Sequence, residues 1–380
     1  MNSETVEITS VGIRKVLNKY TPERAISEYV WNGFDAKATV VKIDIDFDSQ
    51  ELDTVKEIRV TDNGIGICHD ELASKFKKFY ESQKSIANTK DTDFTRGKNG
   101  YGRFTFHKFA RFAKWETLYL KENNIMSYDI QISNDNLKDY SPTLPVISQE
   151  TTTGTRVVFN EIFPIISTSF IEKILIPYLK AEFAWFLELK EEYKIFINGV
   201  ELDYKSIIDE KEEFPLSIKG SDDQEVRFEC KFIRWNTKMN DEYSRFYFLN
   251  NDLELKNTRT TLLNKKGDNF WHSVIIINDF FNEINCDREE EENNLQTKLF
   301  ENVSDRKLFR NLILRLNEFL KSKRRPFLRE QAVTLINKYE EEKVFPEFGN
   351  NDWDKARKQG LEDFVKGLYE VEPAVFMKLN

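Results

Sequence analysis

Between Thr21 and Asp62 the hydrophobic pattern changes period, and this change limits the folds open to the chain more than any other feature. Thr21 precedes Pro22 and Glu23, the order of an N-cap, a first helical residue and an acidic first turn, and an amphipathic run continues to about Ala38. The segments VVKIDIDF (Val40 to Phe47) and VKEIRVTD (Val55 to Asp62) then alternate apolar and polar residues, as strands with one buried face do. A helix and strands that each bury a single face must stack in layers.

The same reading extends along the chain. A helical stretch is expected from about Asp70 to Tyr80, followed by a long polar loop, Ser82 to Gly100, of a length that usually signals function or disorder. YGRFTFHKFARF reads as helical. Strand-like runs follow near Lys114 to Leu120, Met126 to Ser133 and Thr155 to Asn160, closing an α+β domain at about residue 165. Phe170 to Lys190 is an apolar helical run suited to linking two halves. KIFINGVELDY, EVRFECKFIRW, SRFYFLNN and HSVIIIND give strands of a second α+β domain, and the chain turns helical and charged from about Ser304. The basic run KSKRR (Lys321 to Arg325) is broken by Pro326. The expected division is residues 1–165, 166–303 and 304–380.

Composition excludes some classes. With 40% hydrophobic residues the chain is globular, and no segment reads as membrane-spanning. The start, MNSETVEITS, has no basic-then-apolar signal, which makes a cytoplasmic location the expectation. A net charge of -9 speaks against a surface given over to nucleic acid. Cys68, Cys230 and Cys286 are too few for a disulfide framework or a zinc site, and His69, His107 and His272 have no metal-like spacing.

Four segments carry chemistry. In EYVWNGFDA, Glu28, Asn32 and Asp35 are spaced to share one helix face, while Ile26, Val30 and Phe34 supply apolar contacts elsewhere. In TDNGIGI, Asp62 ends a strand where it can accept a hydrogen bond from an exocyclic amine, and Gly64 and Gly66 let a flat ligand approach. GKNGYGRF places glycines before a helical start, where backbone N–H groups suit phosphate oxygens, with Lys84, Lys98 and Arg103 near enough to add charge. It lacks the Lys-Ser or Lys-Thr of a P-loop and does not follow a strand as a Rossmann turn does. TTTGTRVVF puts Gly154 and Thr155 at the entry to a β-branched strand.

In order and spacing these four resemble the GHKL superfamily, which includes DNA gyrase B subunits, ninety-kilodalton heat-shock chaperones, histidine kinases, MutL and MORC proteins. The first is similar to its E-x-x-x-N-x-x-D-A helix, the second to its D-x-G-x-G turn, the third to its G-x-x-G-x-G lid end and the fourth to its late Gly-Thr. The resemblance implies a two-layer α/β sandwich, the Bergerat ATP-binding fold, then a transducer-like α+β domain of the ribosomal S5 type and a helical C-terminal segment. It implies ATP and Mg²⁺ as ligands. Glu28 would be the general base, Asn32 the Mg²⁺ ligand and Asp62 the reader of the adenine amine, with Gly66 and Thr155 completing the base pocket. Asp35, Ala36, Gly64, Ile67, Lys84, Gly97, Lys98, Asn99, Gly100, Tyr101 and Gly102 would be further nucleotide contacts. A transducer cation at the γ-phosphate would come from Lys256, Arg259, Lys265 or Lys266, with Lys265 and Lys266 favoured because NKKGD reads as a loop tip.

A histidine kinase is expected to carry a phospho-acceptor helix upstream of this region, and the few residues before Thr21 argue against that branch. The branch implied is an ATPase whose turnover drives lid closure and a nucleotide-dependent homodimer, in the manner of a chaperone or MORC clamp acting on a protein client or effector. Two other readings stand beside it: an ATP-sensing interaction module with little turnover, as in bacterial defence, and a DNA-acting module, suggested by KSKRR and by the resemblance to gyrase and MutL.

Overall fold

The computed structural model describes residues 9–49, 53–76, 102–220, 225–240, 244–283 and 303–377. The chain divides into two compact units, Met1–Ser206 and Ile207–Asn380.

The first unit opens with α1 (Ser10–Val16) and α2 (Pro22–Asp35), then β1 (Val40–Phe47), β2 (Val55–Asp62) and α3 (Leu72–Phe76). A 3-10 turn over Gly102–Lys108 leads into β3 (Ala110–Lys121), β4 (Asn124–Ser133), β5 (Asn136–Pro142), β6 (Val146–Ile147) and β7 (Gly154–Ile162). The helical part closes with α4 (Thr168–Phe170), a π turn over Ile171–Leu175 and α5 (Ile176–Leu189), before β8 (Lys194–Ile197) and β9 (Val200–Glu201). The sheet runs β5-β4-β3-β7-β2-β1-β8-β9 with β6 beside β4, antiparallel except where β8 lies parallel to β1.

The amphipathic pattern explains the layering. Val41, Ile43 and Ile45 of β1 and Ile58 and Val60 of β2 are buried on one face of the sheet. On α2 the residues Ala25, Ile26, Tyr29, Val30, Trp31 and Phe34 are all buried. The Trp31 ring lies tilted 4.5 Å from Phe183 and edge-on 5.3 Å from Phe186 of α5, and its indole N–H donates to buried Glu182 at 3.0 Å. Each such aromatic contributes roughly 1.5–3 kcal/mol by leaving water. The run read as a link between halves therefore lies inside the first unit, since α5 covers α2 and β8 extends the same sheet.

One local expectation is met and one is corrected here. Thr21 occupies the N-cap with extended backbone, yet makes no side-chain capping bond; its carbonyl accepts from Ala25 N–H at 2.9 Å. YGRFTFHKFARF is helical only over Gly102–Lys108, because the strand begins at Ala110 in register with Ile162 of β7.

The second unit holds β10 (Ile208–Lys219), β11 (Glu225–Trp235), β12 (Arg245–Leu249), β13 (Leu255–Thr260) and β14 (His272–Ile277), ordered β10-β11-β14-β12-β13. Helices α6 (Val303–Glu341), α7 (Asp352–Val371) and α8 (Ala374–Met377) follow. Phe228, Phe232, Phe246, Phe248 and Ile276 pack with Leu308, Phe309, Leu312, Leu316, Leu320 and Phe327 of α6. β10 and β13 escape a reading by alternation because they are edge strands with polar faces, and an edge also tolerates Pro215 in β10. Pro326 does not end α6, which runs through it at the loss of one backbone bond.

KSKRR is engaged within the second unit. Lys323 pairs with Glu210 at 2.7 Å and with Glu212, Arg324 pairs with Asp268 at 2.5 Å, and Arg325 pairs with Glu370 at 3.3 Å. Among the described residues no helix is long and apolar enough to cross a membrane, and no group of three or more His, Cys, Asp or Glu is placed to hold a metal. Cys230 is buried, Cys68 is half-buried, and Cys286 lies outside the described residues.

Candidate nucleotide site

The stripe Glu28, Asn32 and Asp35 is half-buried on a helix whose other faces are shut into the core. The 3-10 turn over Gly102–Lys108 is clamped onto this helix. Tyr29 Oη donates to the Arg103 carbonyl at 3.0 Å and accepts from Phe106 N–H at 3.2 Å, while Thr105 Oγ1 donates to the Ala25 carbonyl at 3.1 Å. This clamp brings Gly102 over the stripe: a Cβ there would stand 3.3 Å from Glu28 Oε2 and 3.5 Å from the Asn32 amide. The lid-end glycine thus lies against the acid and the amide that the sequence singled out.

Asp62 sits at the end of β2, paired with Val41 on one side and Thr155 on the other. Its Oδ1 accepts from Gly64 N–H at 2.8 Å and from Thr155 N–H at 3.3 Å. Burial raises the carboxyl to about 6, and those two N–H donors pull in the opposite direction. It is therefore ionised at neutral pH and available as an acceptor.

The surrounding turn leaves no room for side chains. A Cβ on Gly64 would lie 2.4 Å from the Ala36 carbonyl oxygen. Gly66 has φ +73, and a Cβ on it would stand 2.1 Å from the Leu118 carbonyl oxygen. One on Gly154 would lie 2.3 Å from the Asp62 carbonyl oxygen. Ile65 N–H donates to Ala36 O at 2.8 Å, and Ile67 N–H to Thr117 Oγ1 at 2.8 Å, with Thr117 Oγ1 3.2 Å from Thr155 Oγ1. The result is a close-packed backbone wall with one fixed carboxylate, which suits a flat, amine-bearing ring.

The structure thus brings together Glu28, Asn32, Asp35, Ala36, Asp62, Gly64, Gly66, Ile67, Gly102 and Thr155, all in the first unit. Lys84, Gly97, Lys98, Asn99, Gly100 and Tyr101 lie outside the described residues. Lys265 and Lys266 are exposed and belong to the second unit, while Lys256 is turned onto Glu254 at 2.7 Å. Arg103 departs from its expected part as a source of charge for phosphate. It is buried at 8% exposure, its Nη2 donates to the Phe76 carbonyl at 2.8 Å, and its guanidinium stacks over Phe104.

Sequence reasoning passed over three residues that build the site. Asn63 Oδ1 accepts from Thr39 N–H and Val40 N–H at 3.0 and 2.9 Å, tying the turn to the start of β1. Its signal was present, since an Asn before Gly often bonds neighbouring backbone. Tyr29 and Thr117 carried no signal, because each acts through partners distant in the chain.

Residues 20–157 match a family model described as histidine kinase-, DNA gyrase B- and HSP90-like ATPase. No curated protein matches the chain. Among solved structures, the chain is similar to the Aquifex aeolicus MutL ATPase domain complexed with ADP, with 15% identity, 69% of this chain and 94% of that chain covered, and a TM-score of 0.35. It is also similar to the ATPase region of Saccharomyces cerevisiae topoisomerase II, with 16% identity, 70% and 72% covered, and a TM-score of 0.38. A third similarity is to the N-terminal domain of a DNA repair protein, with 13% identity, 83% and 98% covered, and a TM-score of 0.44. The four motifs, their convergence in space and the family match agree, and the chain carries, across residues 20–157, an α+β domain of the GHKL (Bergerat) ATPase superfamily.

Proposed function

We propose that the chain is a cytoplasmic ATPase that binds ATP in the first unit, hydrolyses it to ADP and phosphate, and uses turnover to drive lid closure and pairing of two copies. The supporting observation is convergence. Segments at residues 28–36, 62–67, 102 and 154–155 meet around two carboxylates in different surroundings, with backbone so close at Gly64, Gly66 and Gly154 that glycine alone fits.

In this reading Asp62, ionised at neutral pH, accepts from the adenine amine while Gly64, Gly66, Ile67 and Thr155 wall the base. Glu28 takes the proton of the attacking water, a task for a carboxylate held within hydrogen-bond reach. Asn32 would hold Mg²⁺ through its amide oxygen, and Mg²⁺ when bound neutralises phosphate charge. Asp35 and Ala36 line the same helix end. By resemblance, Lys84, Gly97, Lys98, Asn99, Gly100, Tyr101 and Gly102 attend the phosphates, and Lys265 or Lys266 the γ-phosphate. A chaperone-like or MORC-like clamp acting on a protein client or effector is the finer form of this proposal. The DNA-acting reading loses part of its motive, since Lys323 and Arg324 of KSKRR are held in ion pairs, and keeps the part that rests on resemblance to gyrase and MutL.

Glu28→Ala tests it. ATP binding should persist while turnover falls by roughly 10²- to 10⁴-fold. Unchanged turnover would remove Glu28 from its role. An ATP-sensing module predicts negligible turnover in the wild type as well. Sizing with Mg²⁺ and a non-hydrolysable ATP analogue should show a dimer that is absent without nucleotide.

A further inference from the structure

At the end of β1 remote from Asp62, the first unit holds a cavity of about 420 Å³. β1 meets Asp62 at Val41 and enters the cavity wall at Phe47, and the strand rise over those six steps separates the two places by about 20 Å. No residue assigned to the nucleotide lines it. Its floor is apolar, with Ile171, Ile197 and Leu202 buried, whereas Phe47 and Val200 stand at 41% and 71% exposure beside the mouth.

The frame holds this space open. Pro177 has no N–H to donate, and its ring crowds the carbonyl four residues back. The helix widens there into the π turn over Ile171–Leu175, in which Ile176 N–H donates to the Ile171 carbonyl five residues back. Such turns are rare, and many mark functional sites. Thr168 N–H donates to Asp53 Oδ1 at 2.6 Å, pinning the helix start to the β1–β2 turn, and Ile45 N–H donates to Asn198 Oδ1 at 2.7 Å, pinning the β8–β9 hairpin to β1. Layers free to slide would close the gap and gain van der Waals contacts. Pinned, they keep apolar side chains wet.

The charges around the cavity are unbalanced. Glu172, Glu201 and Asp203 line it against one cation, Lys180, whose Nζ already donates to Ser206 Oγ at 2.9 Å. Glu201 pairs with Lys194 at 3.2 Å, while Glu172 and Asp203 have no ion pair among the described residues. An apolar floor under an acidic rim suits one ligand chemistry best, a hydrophobic body that carries a positive charge.

We propose that the cavity binds a small organic ammonium ion, its apolar body against Ile171, Ile197 and Leu202 and its cationic head at the rim of Glu172 and Asp203. The body supplies most of the affinity by leaving water, and the head makes the site prefer a cation to an anion of like size. The site lies apart from the nucleotide, so the two ligands bind without competing.

The experiment is calorimetric titration of the full chain with phenethylammonium, phenethyl alcohol and phenylpropionate, each with and without ATP and Mg²⁺. The ammonium should bind most tightly and the carboxylate least, whether or not nucleotide is present. Glu172→Gln should weaken the ammonium roughly two- to fivefold and leave the alcohol unchanged. Val200→Lys sets a cation at the mouth and should weaken the ammonium more than the alcohol, while Phe47→Ala removes an apolar wall and should weaken both. The proposal is overturned if no probe binds at millimolar concentration, if the carboxylate binds as tightly as the ammonium, or if ATP displaces the ammonium. It is overturned equally if ammonium binding passes unchanged through Glu172→Gln and Val200→Lys, which would place the probe elsewhere. Should Phe47→Ala fail to fold, those two substitutions carry the test, since each replaces an exposed side chain.

Discussion

The surroundings of Asp62 and the two-lysine tip solve the same problem, holding a charged group in place, by opposite means. Around Asp62 the shape is set by backbone against backbone, with Gly64, Gly66 and Gly154 occupying places where a Cβ would lie 2.1–2.4 Å from a carbonyl oxygen. At the tip, side-chain bonds set the shape, linking Thr261 to His272, Asn264 to Ser244 and Asp268 to Arg324. A backbone wall can hardly be altered without being destroyed. A side-chain network can be loosened by degrees, and its members respond to protonation.

The sharpest break in that comparison comes at Gly66. Gly66→Ala combines a left-handed φ with a backbone clash that no rotamer relieves. It should cost roughly 3 to 5 kcal/mol in a denaturant melt and abolish nucleotide binding by calorimetry. A near-wild-type melt would mean that the turn moves freely, and the contrast between wall and network would fail.

Next in size are two opposed pH responses. Burial raises Asp62 to about 6, so the folded state holds its proton more tightly than the unfolded chain does. Its contribution is full below the unfolded value, near 4, and is lost as pH rises through about 6, on the order of 2 to 3 kcal/mol. Burial lowers His272 to about 4, so the unfolded chain takes up the proton first. Its contribution is full above about 6.5 and is lost as pH falls towards 4, by a similar order. Urea melts at pH 4.5 and 7 should therefore show Asp62→Asn gaining most at pH 7 and His272→Gln losing least at pH 4.5. Nucleotide affinity should weaken as pH falls through 6, because a protonated Asp62 is a weaker, uncharged acceptor that presents an O–H donor to the amine. Affinity that stays flat from pH 5 to 8 would remove Asp62 from the adenine contact.

The same difference decides what could be read from the sequence. Glu28, Asn32, Asp62 and Gly66 were legible as positions because helix period and glycine spacing are local properties, as were the alternating strands beside them, while the roles proposed for them and for Thr155 are what the resemblance implies. Tyr29, Thr117, Arg103 and Arg324 were not. Tyr29 and Thr117 carry no motif, while Arg103, read as a phosphate cation, is buried against Phe104, and Arg324, read as part of a basic patch, is engaged by a carboxylate 56 residues away. Edge strands β10 and β13 escaped notice because solvent on one side permits charged residues and Pro215 where alternation would otherwise show.

Gly360 gives the smallest effect and the control for the whole contrast. It lies exposed inside α7, and a Cβ there would meet nothing within 4 Å. In such a place glycine adds only backbone freedom that folding must remove, so Gly360→Ala should stabilise the second unit by roughly 0.5–1 kcal/mol and leave ATP turnover unchanged. Thermal melts of the two glycine variants side by side separate glycine as a shape requirement from glycine as a neutral occupant. If Gly360→Ala destabilises the chain instead, backbone approach matters in the second unit as well, and the division between a wall and a network does not follow the boundary between the two units.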